Sequence, residues 1–154
     1  MTDLAFDTLT LERRIAASPA RVFALMTDRE ARQTWGSPED GVVVVIDDFD
    51  LRPGGRELAR CGPAENPEFF TVSTFHAVEA PRHLICTESL TVGGDLVSVG
   101  LITQALAPDG DGTHLTVTIQ VTSVTGPDTA ADYRTGWSSA LDNLAAMAAK
   151  GVPA

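Results

Sequence analysis

One histidine and one glutamate in this sequence have the spacing for shared proton chemistry. The segments 69–79 and 84–90 read as two strands joined at Ala80-Pro81-Arg82. Facing residues of an antiparallel pair have a constant index sum and point to the same side. With Val78 opposite Leu84, His76 faces Cys86 and Thr74 faces Glu88. Thr74, His76 and Glu88 then share one face with Phe70, Val72 and Val78. Burial raises a glutamate pKa, and a neighbouring carboxylate holds an imidazole tautomer, so His76 and Glu88 are candidate acid and base. The same placement also fits a polar pair that only orients side chains, or a face turned outward. A bulge in either strand reverses the parity and breaks up the group.

Other chemistry is sparse. His76, His83 and His114 have no close ligand spacing, and Cys61 and Cys86 stand alone, so no metal is expected. The two cysteines read as reduced thiols of a cytoplasmic protein. Neither a dinucleotide-binding glycine pattern, a P-loop nor a G-x-S-x-G elbow occurs, so no cofactor is expected. Trp35, Tyr133 and Trp137 fit either the wall of an apolar ligand cavity or plain core. The Tyr133 hydroxyl is a candidate anchor for a ligand. Arg52 is expected to pair with Asp50 or the strand ends.

The whole chain, 1–154, reads as one domain. Lysine plus arginine number 11 against 21 acidic residues, a formal charge of −10. Such a chain repels nucleic acid and anionic membranes. No apolar run approaches a membrane span, so no insertion is expected, and the Met1 end lacks the pattern of a secretory signal.

The elements that must position these groups follow from periodicity. Leu9, Leu11 and Ile15 alternate with polar residues as a half-buried strand, while Arg13 breaks the parity and suggests a cavity mouth or strand end. Ser18-Pro19 caps a short helix, and Thr27 with Glu30 has the spacing of a capping box for a second, ending near Trp35-Gly36. Val42 to Ile46 is apolar on both parities, which requires cover on both faces or a subunit contact such as a homodimer. Strands follow at 56–61, 69–79, 84–90, 96–106 and 115–121. Tyr133, Trp137, Leu141, Leu144 and Ala148 form the apolar stripe of a helix from about 129 to 150, stopped by Gly151 and Pro153.

This order resembles the helix-grip fold of the START-like SRPBCC superfamily, and within it the bacterial homologues of the heat-shock-protein-90 ATPase activator. The segments that carry the resemblance run from about Thr8 to Lys150. They are the Ile15-to-Asp28 opening, Trp35, Asp50-Leu51-Arg52-Pro53-Gly54-Gly55, Ala80-Pro81-Arg82-His83-Leu84, Asp111-Gly112-Thr113-His114-Leu115-Thr116 and Gly136-Trp137 with Leu141 and Leu144. The resemblance implies an α+β fold. A curved antiparallel sheet of seven strands wraps a long C-terminal helix, with two short helices after the first strand. It also implies a cavity between sheet and helix, which in related proteins takes hydrophobic molecules. The family pattern turns Val78 and Leu84 inward, so Thr74, His76 and Glu88 are expected in that cavity. The expected binding residues are Trp35, Phe70, Thr74, His76, Glu88, Tyr133 and Trp137. A small hydrophobic molecule is the expected partner. The rival readings are a cyclase-, aromatase- or hydrolase-type enzyme in the same cavity, and a chaperone-associated or regulatory protein working through its surface.

Overall fold

The computed structural model describes residues 4–37 and 39–150. Met1, Gly151 and Pro153 lie outside them, so the expectations on the leader and the helix stop do too. Along the chain come β1 (Ala5–Ile15), α1 (Pro19–Met26), α2 (Arg29–Trp35), β2 (Val42–Phe49), β3 (Arg56–Pro63), β4 (Phe69–Glu79), β5 (His83–Val92), β6 (Asp95–Asp109), β7 (Gly112–Ser123) and α3 (Asp128–Ala149). The strands form one seven-stranded sheet in the order β1-β7-β6-β5-β4-β3-β2. All neighbours are antiparallel. This is the helix-grip arrangement.

The strongest strand signal becomes the centre of the core. Leu115, Val117 and Ile119 of β7 are fully buried, beside Leu9, Leu11 and Ile15 of β1. Leu141, Leu144 and Ala148 of α3 close over them, also fully buried. Arg13, the residue that breaks the parity of β1, reaches up to this helix. Its guanidinium bonds Asp142 at 2.8 Å and the Ser138 hydroxyl at 2.8 Å, clamping α3 to β1.

The short helices start where side chains can satisfy their free N–H groups. The Ser18 hydroxyl accepts from the Arg21 N–H, with Pro19 in the first turn of α1. In α2 the cap is Asp28, which accepts from the Ala31 N–H at 2.8 Å. Thr27, expected to cap, instead donates back to the Phe23 carbonyl of α1 at 2.8 Å. The first helix therefore claims its hydroxyl.

Helix α2 lies beside the valine-rich strand. β2 is a sheet edge, and exposed edges invite pairing with other chains. Here the Ile46 N–H donates to Gln33 and the Ile46 carbonyl accepts from Arg29, both on α2. The helix packs on β2 at Ile46, which is buried, while Val42 to Val45 stay half-buried.

Strand β4 carries the decisive irregularity. Its register with β5 slips between Phe75 and Ala77, leaving His76 as the extra residue of a bulge. Phe75 is held from the other side. Its N–H donates to the Gly55 carbonyl and its carbonyl accepts from the Gly54 N–H. That turn needs glycine, because a Cβ on Gly55 would lie 2.0 Å from the Asp50 carbonyl oxygen. The Asp50 carboxylate takes the Arg52 guanidinium at 2.9 Å.

Candidate functional site

The bulge decides which side chains meet. Val78 pairs with Leu84 as expected, but beyond the slip Phe75 pairs with Cys86 and Ser73 with Glu88. The inward set on β4 is therefore Phe75 and Ser73, both 3% exposed. Thr74 and His76 turn to the outer face of the sheet. His76 is exposed there and its Nε2 lies 2.9 Å from the Thr87 hydroxyl. Phe70 shares that outer face and is 44% exposed. This corrects the expectation for all three: a one-residue slip moves them away from Glu88. The physical reason is Phe75, whose ring packs inward edge-on against Phe49 with centroids 5.9 Å apart. Burying that ring costs the strand its regular ladder.

Glu88 stays inside. One row across the sheet runs Glu57, Ser73, Glu88 and Gly100 on β3, β4, β5 and β6. The next inward row is Phe75, Cys86 and Ile102. Apart from Gly100, these residues line a partly enclosed cavity of about 40 Å³, closed by Met26, Arg32, Trp35 and Trp137 from the three helices. That is room for roughly one to a few waters. Phe49, Leu51, Leu84 and Gln104 complete the wall.

Trp35 and Trp137 thus sit at the cavity, with the Trp35 indole N–H donating to the Leu25 carbonyl at 2.9 Å. Tyr133 stands behind Glu88 and does not line the cavity. Its hydroxyl donates to Glu88 Oε1 at 3.3 Å and lies 3.1 Å from the Ser98 hydroxyl. Ser73 reaches Glu88 Oε2 at 3.5 Å. Arg32 forms an ion pair with Glu57. The Glu57 oxygen facing it has no hydrogen bond of good geometry among the described residues. Glu57 is 4% exposed, while 24% of the Arg32 side-chain surface stays open.

Burial sets the protonation of the site. It pushes the Glu88 carboxyl above its ordinary range, against the pull of Arg32 and the hydroxyls of Tyr133 and Ser73. Burial with Glu88 nearby pushes the Cys86 thiol up to about 12 and raises Cys61 as well. The Tyr133 hydroxyl is raised by burial and by Glu88. Burial lowers Arg32, with Glu88 opposing it; an arginine so placed stays charged near neutral pH. The thiols are neutral at pH 7 and poor nucleophiles. Glu88 is the cavity carboxyl whose hold on a proton burial strengthens. No imidazole accompanies it, so the His76–Glu88 acid–base pair does not form.

Arg32, Glu57, Ser73 and Gln104 are site residues that the sequence reading missed. Glu57 left a signal, because it shares strand parity with Ala59 and Cys61. Arg32 left a weaker one, lying three residues before Trp35 on the same helix face. Among the described residues no three His, Cys, Asp or Glu side chains gather as a metal site, and no helix is long and apolar enough to cross a membrane.

With this geometry in view, the chain was compared with known proteins. Residues 16–149 match the family model for Activator of Hsp90 ATPase homolog 1-like protein. No curated protein matches significantly. Among solved structures, the Mll3558 protein from Rhizobium loti is 31% identical, with a TM-score of 0.82 over 94% of this chain and 98% of that one. An uncharacterized protein from Rhizobium leguminosarum is 24% identical, with a TM-score of 0.82 over 96% and 97%. An AHSA1-like protein from Aeromonas hydrophila is 20% identical, with a TM-score of 0.70 over 96% and 99%.

Proposed function

The chain belongs to the Activator of Hsp90 ATPase homolog 1-like family, and from that premise we propose that it binds a small, largely apolar molecule between the sheet and α3. The observation that carries this reading is three ionisable side chains, the buried Glu57 and the half-buried Arg32 and Glu88, in a wall otherwise rich in Met26, Trp35, Phe49, Leu51, Phe75, Leu84, Ile102 and Trp137. Buried charges cost stability that apolar residues of similar volume would not. Perturbed ionisable groups concentrated in a cavity are a recurrent mark of a functional site.

The cavity volume of about 40 Å³ limits what fits without movement. Trp137 is only partly buried and closes the space from α3. An enzyme reading built on His76 lacks support, since His76 is on the outer sheet face.

Native and denaturing mass spectrometry of freshly purified protein tests the proposal. The expected result is a reproducible added mass that disappears on denaturation. The proposal falls if no added mass is found and methylcyclohexane shifts neither tryptophan indole N–H resonance in a titration.

A further inference from the structure

The sheet has a second face, turned away from α3 and independent of the cavity. The strand registers order its side chains into rows. One row runs Leu58, Val72, Ser89, Val99, Thr122 and Phe6 from β3 to β1. Beside it on one side lie Thr74, Thr87, Leu101 and Gln120. On the other side lie Phe70, Thr91 and Leu96. Phe6 is 74% exposed, Val99 45% and Val72 37%, and Phe70, Leu96 and Leu101 are exposed as well. Apolar side chains on adjacent rows make a patch, which a set of scattered single residues would not.

Charge decides what can cover this patch. The chain carries 21 acidic residues against 11 basic ones. Among the described residues, no carboxylate stands on these rows between β4 and β7. The charges begin at the β3 and β2 side. Arg56 and Arg60 flank Leu58, Asp48 lies beyond it, and Asp47 pairs with Arg60 at 2.7 Å. A foreign partner selected by charge finds nothing to read on the middle strands. An uncharged apolar face is complementary to itself, and two chains of formal charge −10 can meet there without opposing carboxylates.

Strand addition, the other route to self-association, is obstructed at both sheet edges. On β1 the Thr8 N–H donates to Asp7 Oδ1 at 2.8 Å, and the Glu12 carbonyl accepts from Arg13 at 2.8 Å. On β2 Arg29 and Gln33 occupy the backbone of Ile46. The face has enough area to serve instead. Six strands span about 24 Å, and Phe70 to His76 covers about 20 Å along β4. Two such faces together supply about 1,000 Å², the lower bound of a specific interface.

We infer that this face packs on the same face of a second copy of the chain, sheet on sheet about a twofold axis. Val72 and Val99 form the buried middle, and Arg56 and Arg60 lie at the rim. The Val42–Ile46 strand, where the sequence suggested a subunit contact, lies beyond that rim.

Sedimentation equilibrium over about 1 to 100 μM, the range for an interface of this size, tests the inference. The expected mass at the upper end is twice the 16.3 kDa of one chain. Association should tighten between about 0.05 and 0.5 M salt, because screening removes the repulsion between two acidic chains. Val99→Glu places a carboxylate opposite an identical apolar surface and should weaken the dimer at least about 100-fold. Val43→Lys, on the β2 edge strand, should leave it intact. Far-ultraviolet circular dichroism checks that both variants fold.

A monomer throughout that range overturns the inference and leaves the face to a different partner. A dimer that survives Val99→Glu, or one lost in Val43→Lys, overturns it by moving the interface elsewhere. A dimer weakened by salt overturns it too, because ion pairs would then hold it. Should Val99→Glu not fold, intermolecular NOEs in a mixture of labelled and unlabelled wild-type chains decide the matter. They are expected from the methyl groups of Val72, Val99 and Leu101, and their absence from all three in a dimer refutes the proposed face. None of these outcomes bears on the small-molecule reading, whose readout is the added mass.

Discussion

Replacing Glu88 by glutamine should stabilise the protein in a pH-dependent way. Glutamine is nearly isosteric, can accept the Tyr133 bond at its amide oxygen and turns its amide nitrogen to the Ser73 hydroxyl, which donates to Oε2 in the wild type. It cannot ionise. In the unfolded chain a glutamate titrates near about 4.3, whereas burial raises the Glu88 value in the folded state. Between those two values the native state holds a proton that the unfolded state has released. Wild-type stability therefore falls with rising pH across that window, at up to about 1.4 kcal/mol per pH unit for one proton. The stabilising contribution is complete below the unfolded value and is lost as pH rises through the folded one. Glu88→Gln removes this dependence. Its stability relative to wild type should be nearly constant in acid below about pH 4 and should then rise with pH, levelling off above the folded value. Urea unfolding followed by far-ultraviolet circular dichroism at half-unit steps provides the curve. Other carboxylates cancel in the difference unless they couple to Glu88. A pH-independent difference would refute the reasoning. So would a wild type that gains on the variant as pH rises, because Arg32 would then be holding Glu88 as an anion.

Other consequences follow from the same contacts. Arg32→Met strands Glu57, 4% exposed, without its cation, and should cost about 3–5 kcal/mol in urea unfolding. Adding Glu57→Leu should recover most of that loss. Leu144→Ala, at a fully buried position of α3, should cost about 2–5 kcal/mol by the same assay. Gly55→Ala forces a Cβ to within 2.0 Å of the Asp50 carbonyl and should lower the thermal midpoint through backbone displacement. His76→Ala, on the outer face, should change stability by no more than about 0.5 kcal/mol. It should leave any added mass in native mass spectrometry intact.

The sequence by itself determined the element order and much of the core. The alternation of Leu115, Val117, Ile119 and Val121, the Ser18-Pro19 cap and the Tyr133-to-Ala148 stripe are local patterns, and short-range sterics and burial suffice to read them. It also placed Val78 opposite Leu84, because a short connection constrains the nearest pairs. Beyond that point the sequence was silent. The Gly54–Gly55 turn hydrogen-bonds Phe75 from the neighbouring strand, the Phe75 ring goes inward against Phe49, and His76 is left over as the bulge. Those contacts come from segments 20 to 26 residues before Phe75 in the chain, so no local period records them. Arg32 and Glu57 are likewise separated by a helix end, a loop and a strand. Only the packing of α2 against the sheet brings them together, one cation facing two carboxylates. The charge state of the cavity is therefore a property of the tertiary structure, because desolvation and charge pairing depend on neighbours in space.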